Sequence, residues 1–352
     1  MRPLETSITE VLPFSRDPAL RRRFMEVDQD VPGNLRFGLT LEVLDKLAEE
    51  TALAYVRRAE PQARVVTAAI DGIHVRSPAD VGRDLLFLAR VNYVGRTSLE
   101  IGIRVEQDGD PPRHIASCYF TMVARLGDSS VAIESLEYSD ELEERRRVRA
   151  VSRREGIRAS ELAALEQPTR DEFDLFLRLR REREAAGKEA RLTRDLVATA
   201  WEKVYLEHEN VPQKIFGGHL IHRAYQLAAI HAGQLASHRA VVAAVNRINF
   251  LRPVRVGDTL RYLSRIVYTG RTSIAVEIKI ERIGHGKSVL DLSNDCVFTF
   301  VNVDHELRPQ PVPAVYPTTY KEDARYLAAY RRNRAHAIAK GTQSAVLSPA
   351  AP

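Results

Sequence analysis

Two adjacent glycines, Gly217 and Gly218, open a stretch with helical apolar spacing, HLIHRAYQLAAIHAG. Bare backbone at a helix N-terminus offers unpaired N–H donors to developing negative charge. The missing side chains also let another group approach closely. The same pair would serve plain packing of a helix on a sheet. A matching helical stretch, residues 38–58, carries four carboxylates. Asp45 follows Leu44 and lies one turn from Leu41, beside the apolar stripe, which suits a group aimed inward. Glu42, Glu49 and Glu50 read as solvent-facing charges, with Glu42 the fallback acid.

Other chemical signals are weaker. His208, His219, His222 and His231 cluster around the second helical stretch, but no HExxH pattern or cysteine pair accompanies them, so no metal site is expected. Gly284-His-Gly-Lys-Ser288 ends like a phosphate loop, yet Glu281 stands where that motif needs glycine, and a hairpin turn is the simpler reading. There is no GxSxG elbow. Cys118 and Cys296 read as two buried free thiols of a reducing compartment.

The elements that would position these groups come in duplicate. Tyr93-Val-Gly-Arg-Thr-Ser98 recurs 175 residues later as Tyr268-Thr-Gly-Arg-Thr-Ser273. At the same spacing Pro78 meets Pro253 and Val81-Gly82 meets Val256-Gly257, and further on, at an offset of 178, Cys118-Tyr-Phe-Thr meets Cys296-Val-Phe-Thr. Each unit reads as one long helix followed by four strand-like runs, near 64–76, 84–94, 96–107 and 113–126, then near 241–251, 259–268, 272–283 and 288–303. A helix followed by an antiparallel meander is an α+β pattern. Wrapping each sheet around its helix gives a tandem double hotdog. The expected domains are an N-terminal hotdog over 17–128, a charged helical connector over 129–203, a C-terminal hotdog over 204–305, and an extension over 306–352 with a short helix near 321–337.

A chain of 352 residues suits two such domains. The net charge of +5 is spread among acids, as in DELEERRRVRAVSRR, so a solvated helix face is expected rather than a nucleic-acid groove. No apolar run approaches the ~20 residues of a membrane span, and the first residues lack a secretory signal layout, although their arginines leave an organellar transit segment as the weaker reading, with the acidic residues there against it. The expectation is a cytoplasmic protein without membrane insertion.

Leu35-Arg-Phe-Gly38 with LTLEVLD, Thr67-Ala-Ala-Ile-Asp71, VGRTSLE, Lys214-Ile-Phe-Gly-Gly218 and Val297-Phe-Thr-Phe300 together resemble the two-hotdog acyl-CoA thioesterases of the animal mitochondrial type. The likeness runs through most of residues 20–335. It implies hydrolysis of acyl-CoA to fatty acid and CoA, with no cofactor beyond the CoA of the substrate. It also implies a homo-oligomer, with a trimer of double hotdogs as the analogue.

In that family an acid sits seven residues beyond the second glycine, and a polar residue seven before the first. Those counts fall on Asp45 and Asn210, and in the opposite halves on Tyr225 and Asp30. The resemblance therefore implies one live site joining Asp45 to Asn210, Gly217 and Gly218, and one decayed site at Tyr225 and Asp30. Asp45 would be the general base, or a nucleophile forming a transient anhydride. Asn210 would place the water and the Gly218 N–H would bind the carbonyl oxygen. Thr97 and Thr272 would set hydroxyls near the site. Arg96 and Arg271 would meet a CoA phosphate, with Arg252 and Lys287 as weaker choices. A hotdog hydratase would need His five residues after its Asp. Gly33 and Leu35 stand there instead, after Asp28 and Asp30. A non-catalytic acyl-CoA binder is the remaining alternative, and Asp45 with Asn210 argues against it.

Overall fold

The computed structural model describes residues 1–29, 31–163, 166–211, 214–215, 217–284 and 286–346, with side chains left out at 158, 160–163, 208–211, 214–215 and 336–346. The first unit comprises β1 (Ile8–Leu12), α1 (Pro18–Phe24), α2 (Phe37–Val56), β2 (Arg64–Val75), β3 (Leu85–Val94), β4 (Ser98–Gln107) and β5 (Arg113–Leu126). A short β6 (Ser129–Ser130), α3 (Glu141–Ala163), α4 (Arg170–Ala186) and β7 (Arg191–Leu192) lead to the second unit. That unit holds β8 (Val197–Lys203), β9 (Glu209–Val211), β10 (Lys214–Ile215), α5 (Gly217–Leu235), β11 (Arg239–Val245), β12 (Ile248–Phe250), β13 (Thr259–Thr269), β14 (Ser273–Ile283) and β15 (Asp291–Val303). β16 (Val315–Tyr316) and α6 (Tyr320–Val346) close the described chain.

β-Branched alternation makes the strands, and each strand's inward set is buried. Leu85, Phe87, Ala89 and Val91 of β3 face the core while Leu86, Leu88 and Arg90 do not. The order β1-β3-β4-β5-β2 in the first unit is repeated as β8-β13-β14-β15-β11 in the second. The two runs join through β2 with β11 (Val245 opposite Ile73) and β2 with β12 (Ile248 opposite Ile70) to give one 12-stranded sheet. The tandem double hotdog is thus a single continuous sheet around two helices.

α2 has neither proline nor internal glycine beyond Gly38, and Leu41, Leu44, Leu47, Ala48 and Ala52 are fully or nearly buried. It packs against α5, and the paired positions run in opposite senses: Phe37 beside Tyr225, Glu42 beside His222, Asp45 beside Gly218. The helices are therefore antiparallel about an internal two-fold. Glu42 and His222 are equivalent positions of the two units and meet on that axis at 2.6 Å. Burial works against the Glu42 charge, but the His222 contact outweighs it and holds the carboxyl below the usual range.

The structure moves two domain boundaries. The expected starts at 17 and 204 leave out β1 and β8, yet β1 pairs with β3 and β8 with β13 as equivalent edge strands of the sheet. Both are half-exposed, with weak apolar alternation, so their sequence signal is faint. The segment between the two units holds α3 and α4. α3 lies over β3 and anchors through Arg153, which ion-pairs with the buried Glu100 and covers the Tyr119 ring at 3.6 Å. The C-terminal helix is longer than the expected 321–337, and its Arg331 clasps Glu172 of α4 at 2.7 Å. Cys118 and Cys296 are buried free thiols.

Candidate functional site

Asp45 projects from the second turn of α2 and is 2% exposed. Its Oδ2 accepts the Gly218 backbone N–H at 2.6 Å, and its Oδ1 accepts the Thr67 hydroxyl of β2 at 3.0 Å. A carboxylate of the first unit thus caps the helix that opens the second. The N-terminal end of that helix carries partial positive charge, which favours an anion there. Burial nevertheless pushes the Asp45 carboxyl up from 3.8 to about 7, against the lowering pull of Thr67 and Gly218, and Glu49 adds to the rise. The group is poised to change charge near neutral pH, as a general base must be.

Gly217 is required by this closeness. A Cβ there would stand 2.9 Å from Asp45 Oδ2 and 3.1 Å from the Phe250 ring. The glycine pair was expected to make room for substrate, and the group it admits in the structure is the carboxylate. Likewise the Gly218 N–H, expected to meet a carbonyl oxygen, donates to Asp45. Asn210 lies on β9, which pairs antiparallel with β10, but its side chain falls outside the described residues. Asp30 falls outside them as well.

Thr67 and Phe250 are parts of the site that sequence reasoning gave no role. The equivalence of Thr67 with the other unit emerges from the strand register. β2 carries a bulge after Thr67 and β11 carries one after Val242, so the two positions are equivalent, and the hydroxyl stands where the other unit has an apolar side chain. Arg96 and Arg271 are exposed on hairpin turns, with Thr97 and Thr272 partly buried beside them. Their carbonyls pin neighbouring chain: those of Arg96 and Thr97 accept Ile133 and Ala124, and those of Arg271 and Thr272 accept Val312 and Asn302. No described contact links these four residues to Asp45. Arg252 is paired with Asp291 at 3.0 Å. His219 and His222 point to different acids, Glu202 and Glu42.

At the equivalent end of the helix pair, the Tyr225 ring packs against Phe37, Phe298 and Phe300 with centroids 5.4, 5.8 and 6.0 Å away. Burial pushes its phenol far above the ordinary range. A cavity of ≈ 230 Å³ adjoins it, lined largely by apolar residues such as Leu35, Leu44, Val242 and Val303.

The model of the Thioesterase superfamily matches residues 40–112 and 214–289, one stretch in each unit. Protein VdlD of Helicobacter pylori is 34% identical, and the alignment spans 44% of this chain and 91% of that protein. The chain belongs to the thioesterase superfamily. This thioesterase is also 28% identical to the human protein called acyl-coenzyme A thioesterase 9, mitochondrial, over 94% of this chain and 77% of that protein. A solved acyl-CoA hydrolase from Staphylococcus aureus, recorded with butyryl coenzyme A and coenzyme A, covers 45% of the thioesterase chain and 99% of its own at 27% identity and a TM-score of 0.40. The expectation of a cytoplasmic protein is overturned by the human relative, whose name places it in mitochondria. Composition and the lack of an apolar span carry no information on compartment. Among the described residues no helix is long and apolar enough to cross a membrane.

Proposed function

We propose that this thioesterase hydrolyses acyl-CoA to a carboxylic acid and free CoA at the α2–α5 seam, with Asp45 as general base. The observation that carries the reading is the buried Asp45 carboxyl, titrating near 7, held across the seam by Gly218 N–H and Thr67. Curated relatives named acyl-coenzyme A thioesterases support the substrate class.

In this reading the ionised Asp45 takes a proton from water as the water oxygen bonds to the thioester carbon. Asn210 positions that water. The carbonyl oxygen gains charge beside the start of α5, where the Gly218 N–H, released from Asp45, becomes its donor. The C–S bond then breaks, and the proton held by Asp45 passes to the departing CoA sulfur. Gly217 keeps the carboxylate and the reacting carbon close. Thr97 and Thr272 line the approach, and Arg96 and Arg271 meet phosphates of CoA. The working enzyme is a homo-oligomer of double hotdogs, a trimer in the simplest closed form.

The test is release of CoA thiol from acyl-CoAs of several chain lengths, trapped with a chromogenic disulfide. Asp45→Asn should abolish turnover, and wild-type rates in that variant sink the proposal. Single turnover in ¹⁸O-water probes the role of Asp45: label in the Asp45 carboxyl marks an anhydride opened at the aspartyl carbon, whereas a general base leaves Asp45 unlabelled.

A further inference from the structure

The thioesterase has a second large concavity, on the face of the sheet away from α2 and α5. It encloses ≈ 890 Å³ between α3, α6 and the outward residues of β3, β4, β5, β14 and β15. Among the described residues eight arginines line it, and no aspartate or glutamate does. Among the described residues Arg104 pairs with Glu106, Arg145 with Glu141 and Arg153 with Glu100. Arg90, Arg146 and Arg149 have no ion pair among the described residues. The Arg332 Nε is buried and makes no hydrogen bond.

Within its lining this arrangement is electrostatically one-sided, with Glu143 acting on Arg90 and Glu277 and Asp295 on Arg332 from outside it. Burial, then the Arg146 and Arg104 charges, push the Arg90 guanidinium down. Burial, then Arg104, do the same to His114 in the same wall. A concave surface of one sign focuses its field and gathers counter-ions. Guanidinium forks match phosphate oxygens two at a time. One phosphate would leave most of the charge unanswered, whereas a chain of two or three would answer several arginines at once. The floor is apolar, with Leu88, Ala275, Val297 and Val301. The volume lies within the ~300–1,000 Å³ of small-molecule sites, so there is room for an uncharged body beside the phosphates.

We infer that this groove is a second binding site, separate from the acyl site, for an oligophosphate anion of nucleotide size. The separation follows from the sheet. Asp45 meets Thr67 on the helix-facing side, and Arg90 and Arg104 stand on the opposite one.

Isothermal titration calorimetry of the full chain at 0.15 M salt tests this with three probes: tripolyphosphate, ADP and CoA. Tripolyphosphate and ADP should bind, and more weakly as salt rises. In an Arg146→Gln/Arg149→Gln double variant their affinity should fall at least tenfold, with melting temperature and thioester turnover unchanged. Arg149 is exposed and Arg146 half-exposed, so the fold does not rest on them. Arg332→Gln should weaken both probes by itself. ADP binding without tripolyphosphate binding overturns the phosphate basis of the site. Binding of CoA alone, lost when a substrate analogue is present, assigns the arginines to the substrate and overturns the separate site. A change in sedimentation of the double variant, with no anion binding in the parent, assigns the groove to contact between copies and equally overturns it.

Discussion

The two ends of the α2–α5 pair are built from equivalent positions and filled with opposite side chains. At one end Gly217 admits Asp45 to the Gly218 N–H, with Thr67 completing the carboxylate's partners. At the other, Phe37 stands in place of Gly217, Tyr225 in place of Asp45, and Val242 in place of Thr67. Three polar or bare positions become aromatic or aliphatic, and a hydrogen-bonded charge site becomes an aromatic cluster. The repeated strand order therefore supplies the frame, while a handful of side chains decides which seam holds a buried carboxylate.

Four substitutions test that contrast. Asp45→Asn should lower kcat by about 10²–10⁴, the usual contribution of a positioned base. It should also raise the melting temperature. The folded carboxyl titrates near 7 and the free one near 3.8, so the folded chain keeps a proton the unfolded chain releases between those values. Stability accordingly falls as pH rises through that window and levels off above about 7. A neutral amide removes that loss, and calorimetric scans at pH 5 and pH 8 should show a clearly larger gain at the higher pH. An unchanged rate with an unchanged melt leaves Asp45 with no special place.

Gly217→Ala should come next, because its methyl group would press on the carboxylate. Misplacement on the order of 1 Å costs about 10²-fold in rate, read as a fall in kcat at little cost in expression. Thr67→Val copies the other seam. Losing a hydrogen bond to the ionised form lifts the Asp45 carboxyl further, so the rising limb of the rate against pH, expected near 7, should move upward by about one unit. A limb that stays put means the hydroxyl does not serve that charge. Tyr225→Phe should change the rate less than about twofold, since its ring packing survives and surface or hydroxyl losses away from a site are small. Loss of activity there would reverse the assignment of live and silent seams.

Much of this was legible beforehand. The strands of both sheets announce themselves by alternation and by repetition at one spacing, and their ends fall within a few residues of the expected ones. β12 alone breaks the expected run 241–251 into two. β1 and β8 escaped because an edge strand buries one face at most, and a five-residue ITEVL carries little apolar signal. The meeting of Asp45 with Gly218 followed from pairing the units. Thr67 did not, because which strand face looks at the helix depends on a bulge that spacing alone does not reveal. Sequence position also could not show that Gly218 spends its N–H on the carboxylate before any substrate arrives.

The Glu42–His222 contact carries a further lesson. In a dimer of two identical chains, whatever lies on the dyad must face its own copy, so an acid would meet an acid and an imidazole another imidazole. Covalent joining lifts that rule and lets unlike partners share the spot. The halves of this polypeptide have in that sense become lock and key: neither, paired with a duplicate of itself, could make the bond that now sits at the centre of the molecule.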